Sequence, residues 1–377
     1  MTKRERLLRA FRFETPDRVP VVDWVQHGPL AATCSDRPSR HDFWTLEESG
    51  MIAEKYLDMS QGLNASFPQG AAEIEAAECI VDDGENWYQI ERPDGLIKRF
   101  NYWMGAVVER PFDDRDSAAA FIRMKIAELE KQMSETNWDE EKRGFQRSVA
   151  EQKALMGDTE LLLMTPNGGL GVDVLYTMIG WENFAELMYD SPDLVKTFID
   201  TQARSDYEWV RNVVDDAAAQ PIALMYCDIA STTGLMLAPD WIRKNMYANI
   251  ERLAALYKSM GIHIMYHSEG NLTRVIDDLI ALGIEGINPL EKTVTGMSIP
   301  EVRARWPELV LWGGVDNKEL LVNGTVDDVR KEVEFLIENY GRDGGLLLGS
   351  SGQIHPGCKL ENVIAMYETA LQQNVRK

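Results

Sequence analysis

Histidine is scarce in this chain: five in 377 residues, two of them only four positions apart at His263 and His267. Cysteine is scarcer still. Cys34, Cys79, Cys227 and Cys358 form no CxxC pair, and their wide spacing excludes a disulfide framework. A reducing cytoplasm is the expected setting. Basic residues are in deficit, 39 against 61 acidic, for a formal net charge of −22. Such a surface repels nucleic acid and anionic lipid, and solvation alone accounts for it. No run approaches 18 uninterrupted apolar residues, so no membrane span is expected. The opening MTKRERLLRAFRFE has neither the apolar centre nor the small-residue cleavage site of a secretion signal, and it reads as an amphipathic helix. No GxGxxG or GxxxxGK[ST] follows an apolar run, so the common nucleotide loops are missing.

What the chain does contain is a repeating grammar from residue 159 onward. Short apolar runs alternate with amphipathic helical stretches: TELLLMTPNG (159–168), IALMYCDIAS (222–231), IHIMYHSEG (262–270), GIEGINPLE (283–291), LVLWGGVD (309–316) and GLLLGSSG (345–352). Continuous apolar runs of this length suit parallel strands covered on both faces. Helical period marks 239–260, 271–282, 298–305, 325–340 and 359–373. With VPVVDW and the GLNASF region as two further strands, the total is eight, which predicts an α/β fold of the (β/α)8 TIM-barrel type. A doubly wound open sheet is the alternative. The chain reads as one domain over 1–377, with irregular insertions within 25–156. Residues 79–112 alternate and carry a PDG turn, predicting β-hairpins, and 115–156 are charged and helical.

A barrel of this kind places its chemistry at the C-terminal ends of its strands. The strand-end positions are Asp23, Trp24 and Gln26; Asn64 and Phe67; Thr165 and Asn167; Tyr226 and Asp228; His267 and Glu269; Asn288 and Glu291; Asp316, Asn317 and Glu319; and Ser350, Ser351, Gln353 and His355. His267 and Glu269 share a parity, so both face one side of their strand. Imidazole and carboxylate together suit a divalent ion, zinc above all. The plainer readings are a hydrogen-bonded pair, or Glu269 capping a helix that starts near Asn271. His263 sits deeper and is expected to be a satisfied core histidine. Asp228 is a candidate acid, base or substrate anchor, or else a loop cap. Trp24, Phe67, Met164 and Tyr226 are candidates for an aromatic substrate pocket, with Gln26 and Asp228 binding ring oxygens. Core packing is the alternative for each.

Several phrases carry a family resemblance. RERLLRAFRFETPDRVPVVDW resembles the opening helix and first strand of the uroporphyrinogen decarboxylase superfamily. LLMTPNGGLGVDVLYTMIGWENFAELMYDSPDLVKTFID resembles its third strand and following helices. HSEGNLTRVIDDLIALGIEGINPLE, LWGGVDNKELLVNG and GQIHPGCKLENVIAMYE resemble its last strand ends. The resemblance covers nearly the whole chain and implies the same barrel. The decarboxylases of that superfamily grip their substrate's carboxylates with an arginine-rich RQAGR phrase after the first strand. This chain has VQHGPL there, with no cation for bidentate carboxylate recognition. The coenzyme M methyltransferases carry His-x-Cys where this chain has His267-Ser268-Glu269, and a further Cys near Gly352. Both thiolates are missing, so thiol activation is not implied.

The resemblance fits best the methyltransferase I components of anaerobic O-demethylases, which carry a zinc signature Glu-x14-Glu-x20-His. Glu319, Glu334 and His355 reproduce that spacing. Two metal sets therefore stand side by side: the family-derived Glu319, Glu334 and His355, and His267 with Glu269. What the resemblance implies is a zinc-dependent enzyme that moves a methyl group from an aryl methyl ether to the Co(I) of a corrinoid; strand-end position offers Asp228 and His267 for the catalytic roles. A corrinoid-binding DxHxxG phrase is missing, so the cobalamin would arrive on a separate carrier protein. The alternatives are a decarboxylase of a smaller acid, a methyltransferase with another donor or acceptor, and a non-catalytic module docking to a corrinoid protein. A homodimer packed through the N-terminal region is compatible with all of them.

Overall fold

The computed structural model describes residues 1–35, 44–63, 80–84, 87–101, 105–215 and 219–373. Its centre is a ring of parallel strands. In order around the ring they are Val22–Asp23, Met59–Ser60, Glu160–Leu161 continuing as Leu163–Gly169, Ile222–Tyr226, His263–His267, Gly286–Leu290, Val310–Val315 and Leu346–Ser350. Parallel bridging of Val21 to Leu348, and of Val25 to Ile354, joins the last strand to the first and closes a (β/α)8 barrel. Two side-chain features secure that seam. The Trp312 indole donates to the Val22 carbonyl at 2.8 Å. At Gly349 a Cβ would lie 2.1 Å from the same Val22 carbonyl oxygen, so only glycine lets the two backbones meet.

One strand differs from its sequence expectation. The second is Met59–Ser60, just before GLNASF rather than within it, and it pairs with Val22–Asp23 and Glu160–Leu161. Its signal is weak because it is two residues long and preceded by a charge, Asp58. That carboxylate is fully buried and accepts from Arg6 at 2.5 Å, Arg18 at 2.6 Å and the Val21 amide at 2.8 Å. Between the second and third strands lie an antiparallel sheet (Ile80–Gly84, Trp87–Glu91, Ile97–Asn101, Gly105–Glu109) and two long helices, Arg115–Glu135 and Trp138–Met156. Asp114 and Asn137 cap these helices, each cap contributing about 1 kcal/mol.

Strand alternation divides the core in two. Ala223, Met225, Ile264, Tyr266, Leu311 and Leu348 pack outward under the helices. Val22, Met59, Leu224, Met265, Trp312 and Leu347 fill the barrel, where Leu7, Ala10 and Phe11 of the opening helix Lys3–Phe11 plug its N-terminal end. His263 sits at that end, half-buried, stacked on Phe11 with ring centroids 4.6 Å apart and 3.0 Å from Glu285. It is satisfied, as expected, but at the bottom of the barrel rather than within its core. Among the described residues no helix is long and apolar enough to cross a membrane.

Candidate active site

The strand that reads HIMYH turns polar at its end for geometric reasons. His263 and Met265 point into the barrel, and parity carries His267 inward one layer higher. The corner then closes at Gly270, whose φ of +86° favours glycine and where a Cβ would meet the Ser231 carbonyl oxygen at 2.4 Å. On the neighbouring strand the same parity carries Tyr226 inward above Leu224. The rings of Tyr226 and His267 stack, 4.5 Å apart and 14° from parallel.

These two rings are tied to a carboxylate and an amide. Tyr226 donates its hydroxyl to Asp228 Oδ2 at 2.9 Å, and burial with the adjacent Asp228 holds that phenol well above its ordinary range. The other Asp228 oxygen accepts from the Glu269 amide at 2.9 Å and lies 3.8 Å from His267 Nε2. His267 Nδ1 is 2.6 Å from Asn288 Oδ1, on the next strand. One imidazole nitrogen is therefore held by the scaffold while the other faces a carboxylate across a gap. Glu269 does not orient His267, and it does not cap a helix. The next helix starts only at Ile276, and Asn271 makes a turn with Thr273 instead.

The rim is acidic. Burial raises the Glu269 carboxyl above its ordinary value, and Asp228 and Glu291 beside it raise it further. Glu291 is buried, accepts from the Gly270 amide at 2.8 Å and pairs with Lys318 at 2.6 Å. Lys318 is a rim cation that reading the strand ends overlooked, although its neighbours Asn317 and Glu319 were both picked out; its pairing with Glu291 depends on the sixth strand end, 27 residues away. Asp173 was overlooked as well. It is buried at the start of the helix Val172–Ile179, and burial pushes its carboxyl up to about 6. From that helix Tyr176 donates to the Asp228 carbonyl at 2.8 Å, fixing the loop that carries Asp228.

Trp24, Met164 and Tyr226 are each half-buried at the upper end of the barrel, and Met164 packs on the inner core. Gln26 is buried beyond the first strand, its Oε1 without a partner among the described residues. Phe67 and Asn64 lie outside the described residues, as does the side chain of Asn167. Asp23 points away from the barrel, into bonds with Ser350 and Tyr367.

Glu319, Glu334 and His355 are not brought together. The Glu319 side chain is exposed and accepts from Asn323 at 3.0 Å. Glu334 is exposed on the helix Val326–Leu336, whose buried face is Val329, Val333 and Leu336. Both His355 nitrogens are used within the loops, Nε2 against the Asn317 carbonyl at 2.9 Å and Nδ1 accepting from Gly357 at 3.1 Å. Among the described residues no three His, Cys, Asp or Glu side chains converge as a ready metal cage. The donor set on the rim is better suited to a cation. An imidazole nitrogen and a carboxylate oxygen stand 3.8 Å apart, and the repulsion of Asp228 and Glu291 on Glu269 is of the kind a divalent ion relieves.

Comparison with known proteins agrees with this architecture. The family model described as uroporphyrinogen decarboxylase (URO-D) matches residues 170–372. A solved methyltransferase from Methanosarcina mazei superimposes with a TM-score of 0.61 and 18% identity, covering 99% of each chain. At that identity the likeness speaks to fold. No curated protein matches the sequence.

Proposed function

The chain belongs to the uroporphyrinogen decarboxylase family, and on that premise we propose that it is a methyltransferase moving a methyl group from an aryl methyl ether to the corrinoid of a separate carrier protein. The observation that carries this reading is the Tyr226–His267 stack with Asp228 against the His267 Nε2 edge, on a rim rich in carboxylates. A porphyrinogen presents many carboxylates. None of the strand-end positions is arginine, and Lys318, the lysine found on the rim among the described residues, is paired with Glu291. A smaller-acid decarboxylase meets the same deficit. A methoxylated ring instead needs aromatic walls and polar atoms for its ring oxygens, which Trp24, Met164, Tyr226 and Gln26 supply.

His267 and Asp228 would be the first two holders of a zinc ion, and Glu269 would join them only by moving, since the three do not converge as they stand; the ion's Lewis acidity on the ether oxygen would ease departure of the phenolate, with the corrinoid cobalt as nucleophile. The chain's own side chains do the rest. Tyr226 and Trp24 hold the ring and exclude water. The Tyr226 hydroxyl and the Tyr176 and Glu269 bonds fix Asp228, so that its carboxylate is in place without reorganisation. The carrier docks at the strand-end rim, because the opposite end of the barrel is plugged by Leu7, Ala10 and Phe11.

The test is to mix the protein with a reduced corrinoid carrier and methoxylated aromatics and follow the corrinoid absorbance, alongside metal analysis. Methylation with stoichiometric zinc is expected. Zinc absent both as purified and after reconstitution removes the Lewis-acid step, and no spectral change with any methyl donor overturns the transferase reading.

A further inference from the structure

Asn288 is buried, 2% exposed, at the end of the sixth barrel strand, where its backbone is registered directly against His267. Its side chain shows two things at once. Oδ1 lies 2.6 Å from His267 Nδ1, and since an amide oxygen can only accept, a hydrogen bond between these two atoms needs its proton on Nδ1. Nδ2, on the same carbon, is buried with no hydrogen-bond partner among the described residues. A buried amide N–H left unmatched is costly, so its persistence beside the rim calls for an acceptor that arrives from outside the fold.

We propose that Asn288 has two roles: it locks His267 in the Nδ1–H tautomer, leaving the Nε2 lone pair toward the barrel mouth, and it offers Nδ2–H to an acceptor oxygen of the bound ligand. The first role makes Asn288 a positioning residue and rests on geometry alone. With Nδ1–H committed to Oδ1, Nε2 carries no proton and presents its lone pair toward Asp228. The opposite amide orientation would give His267 an Nε2–H, a donor aimed at the carboxylate, and would close the edge to any incoming ligand. The second role rests on the methyl-ether reading. On that reading the acceptor is an ether or phenol oxygen bound at the upper end of the barrel, where the next strand sets Asn288 beside His267. The carboxylates Asp228, Glu269 and Glu291 on the same rim disfavour a carboxylate there.

Histidine-selective 15N labelling separates the two roles. Only five histidines contribute, and His267→Gln identifies the signal of interest. At about pH 8.5, well above the ordinary imidazole pKa, the full-length protein stripped of metal by a chelator, as every variant here would be, is expected to show His267 with Nδ1 protonated and Nε2 bare. Asn288→Leu, which leaves Nδ1 no acceptor, is expected to shift His267 to a mixture of tautomers or to Nε2–H. Asn288→Asp keeps an acceptor for Nδ1–H and is expected to retain the wild-type pattern. An Nε2–H tautomer in the wild-type protein, or an unchanged pattern in a folded Asn288→Leu variant, overturns the lock. Binding of 2-methoxyphenol, followed by Tyr and Trp fluorescence, tests the donor. Asn288→Asp retains the tautomer but has no N–H, and it is expected to bind about tenfold more weakly. Equal affinity in the wild type and Asn288→Asp overturns the donor role. No binding to the wild type overturns that role together with the ether reading, while the tautomer result stands on the nitrogen shifts alone.

Discussion

The lower and upper halves of the barrel interior come from the same strands, two residues apart, and have opposite characters. Below lie Leu224, Met265, Trp312 and Leu347, dry and closely packed; above them stand Tyr226, His267, Asn288 and the rim carboxylates. The floor stabilises through apolar area removed from water, about 1.5–3 kcal/mol for each large side chain. The rim contributes less to stability and holds polar atoms without partners among the described residues, Gln26 Oε1 and Asn288 Nδ2. Rigidity below is what lets the layer above keep a 4.5 Å ring stack and a 2.6 Å hydrogen bond in register.

The largest effect is expected on the floor. Trp312 is 1% exposed and its indole closes the seam to Val22. Trp312→Ala removes a large buried ring and one hydrogen bond, and should cost about 3–5 kcal/mol in denaturant unfolding. A loss under about 1 kcal/mol would mean that the floor does not carry the barrel. Asp228→Asn should do the reverse. It keeps the shape and the Tyr226 contact, removes the charge facing His267 Nε2, and should lower methyl transfer by roughly 10²–10³-fold. Its unfolding midpoint should stay close to wild type. A rate within threefold of wild type would take Asp228 out of the chemistry.

How much of this was legible in the sequence cuts across that division. The last six strands announce themselves, because continuous apolar runs between amphipathic helices have few other uses. The floor did not come with them, since both faces of each run are apolar and nothing local says that Leu224 and Met265 face inward. Nor did Met59–Ser60, because two residues carry no period and Asp58 masks their burial. On the rim, strand-end position picked out Tyr226, Asp228, His267 and Asn288, but not the bonds among them. The Asn288–His267 contact depends on the register of two strands 21 residues apart in sequence. Such pairing is set by packing around the whole ring and leaves no local mark.

A pH experiment sharpens the difference between a buried acid that serves the seam and the acids of the rim. Asp23 is fully buried between the first and last strands, and burial pushes its carboxyl up to about 7 despite hydrogen bonds from Ser350, Trp24 and Tyr367. A carboxyl raised in the folded state favours folding most when protonated. Its contribution is whole below about pH 4, the unfolded value, and is lost as pH rises through about 7. Asp23→Asn should therefore flatten the decline in stability between about pH 5 and 8, by on the order of 1–3 kcal/mol relative to wild type. Asp173, raised to about 6, leaves a residual slope of the same sign. An identical slope in both proteins would show that Asp23 is ionised throughout this range.

The smallest expected effect is the most informative about the metal. Glu334 matches a zinc signature in linear spacing, yet spacing counts residues rather than distance. It sits eight residues after the helix start at Val326, about 12 Å along the axis at 1.5 Å per residue, and its side chain is exposed opposite Val329 and Val333. Glu334→Gln should change stability by less than about 0.5 kcal/mol, as is usual for an exposed polar exchange. It should leave bound zinc and transfer rate at wild-type levels, whereas Glu269→Gln should lower both. If Glu334→Gln releases zinc and Glu269→Gln does not, the ion sits with Glu319 and His355 after a rearrangement of the seventh and eighth loops, and the rim between Asp228 and His267 binds substrate alone.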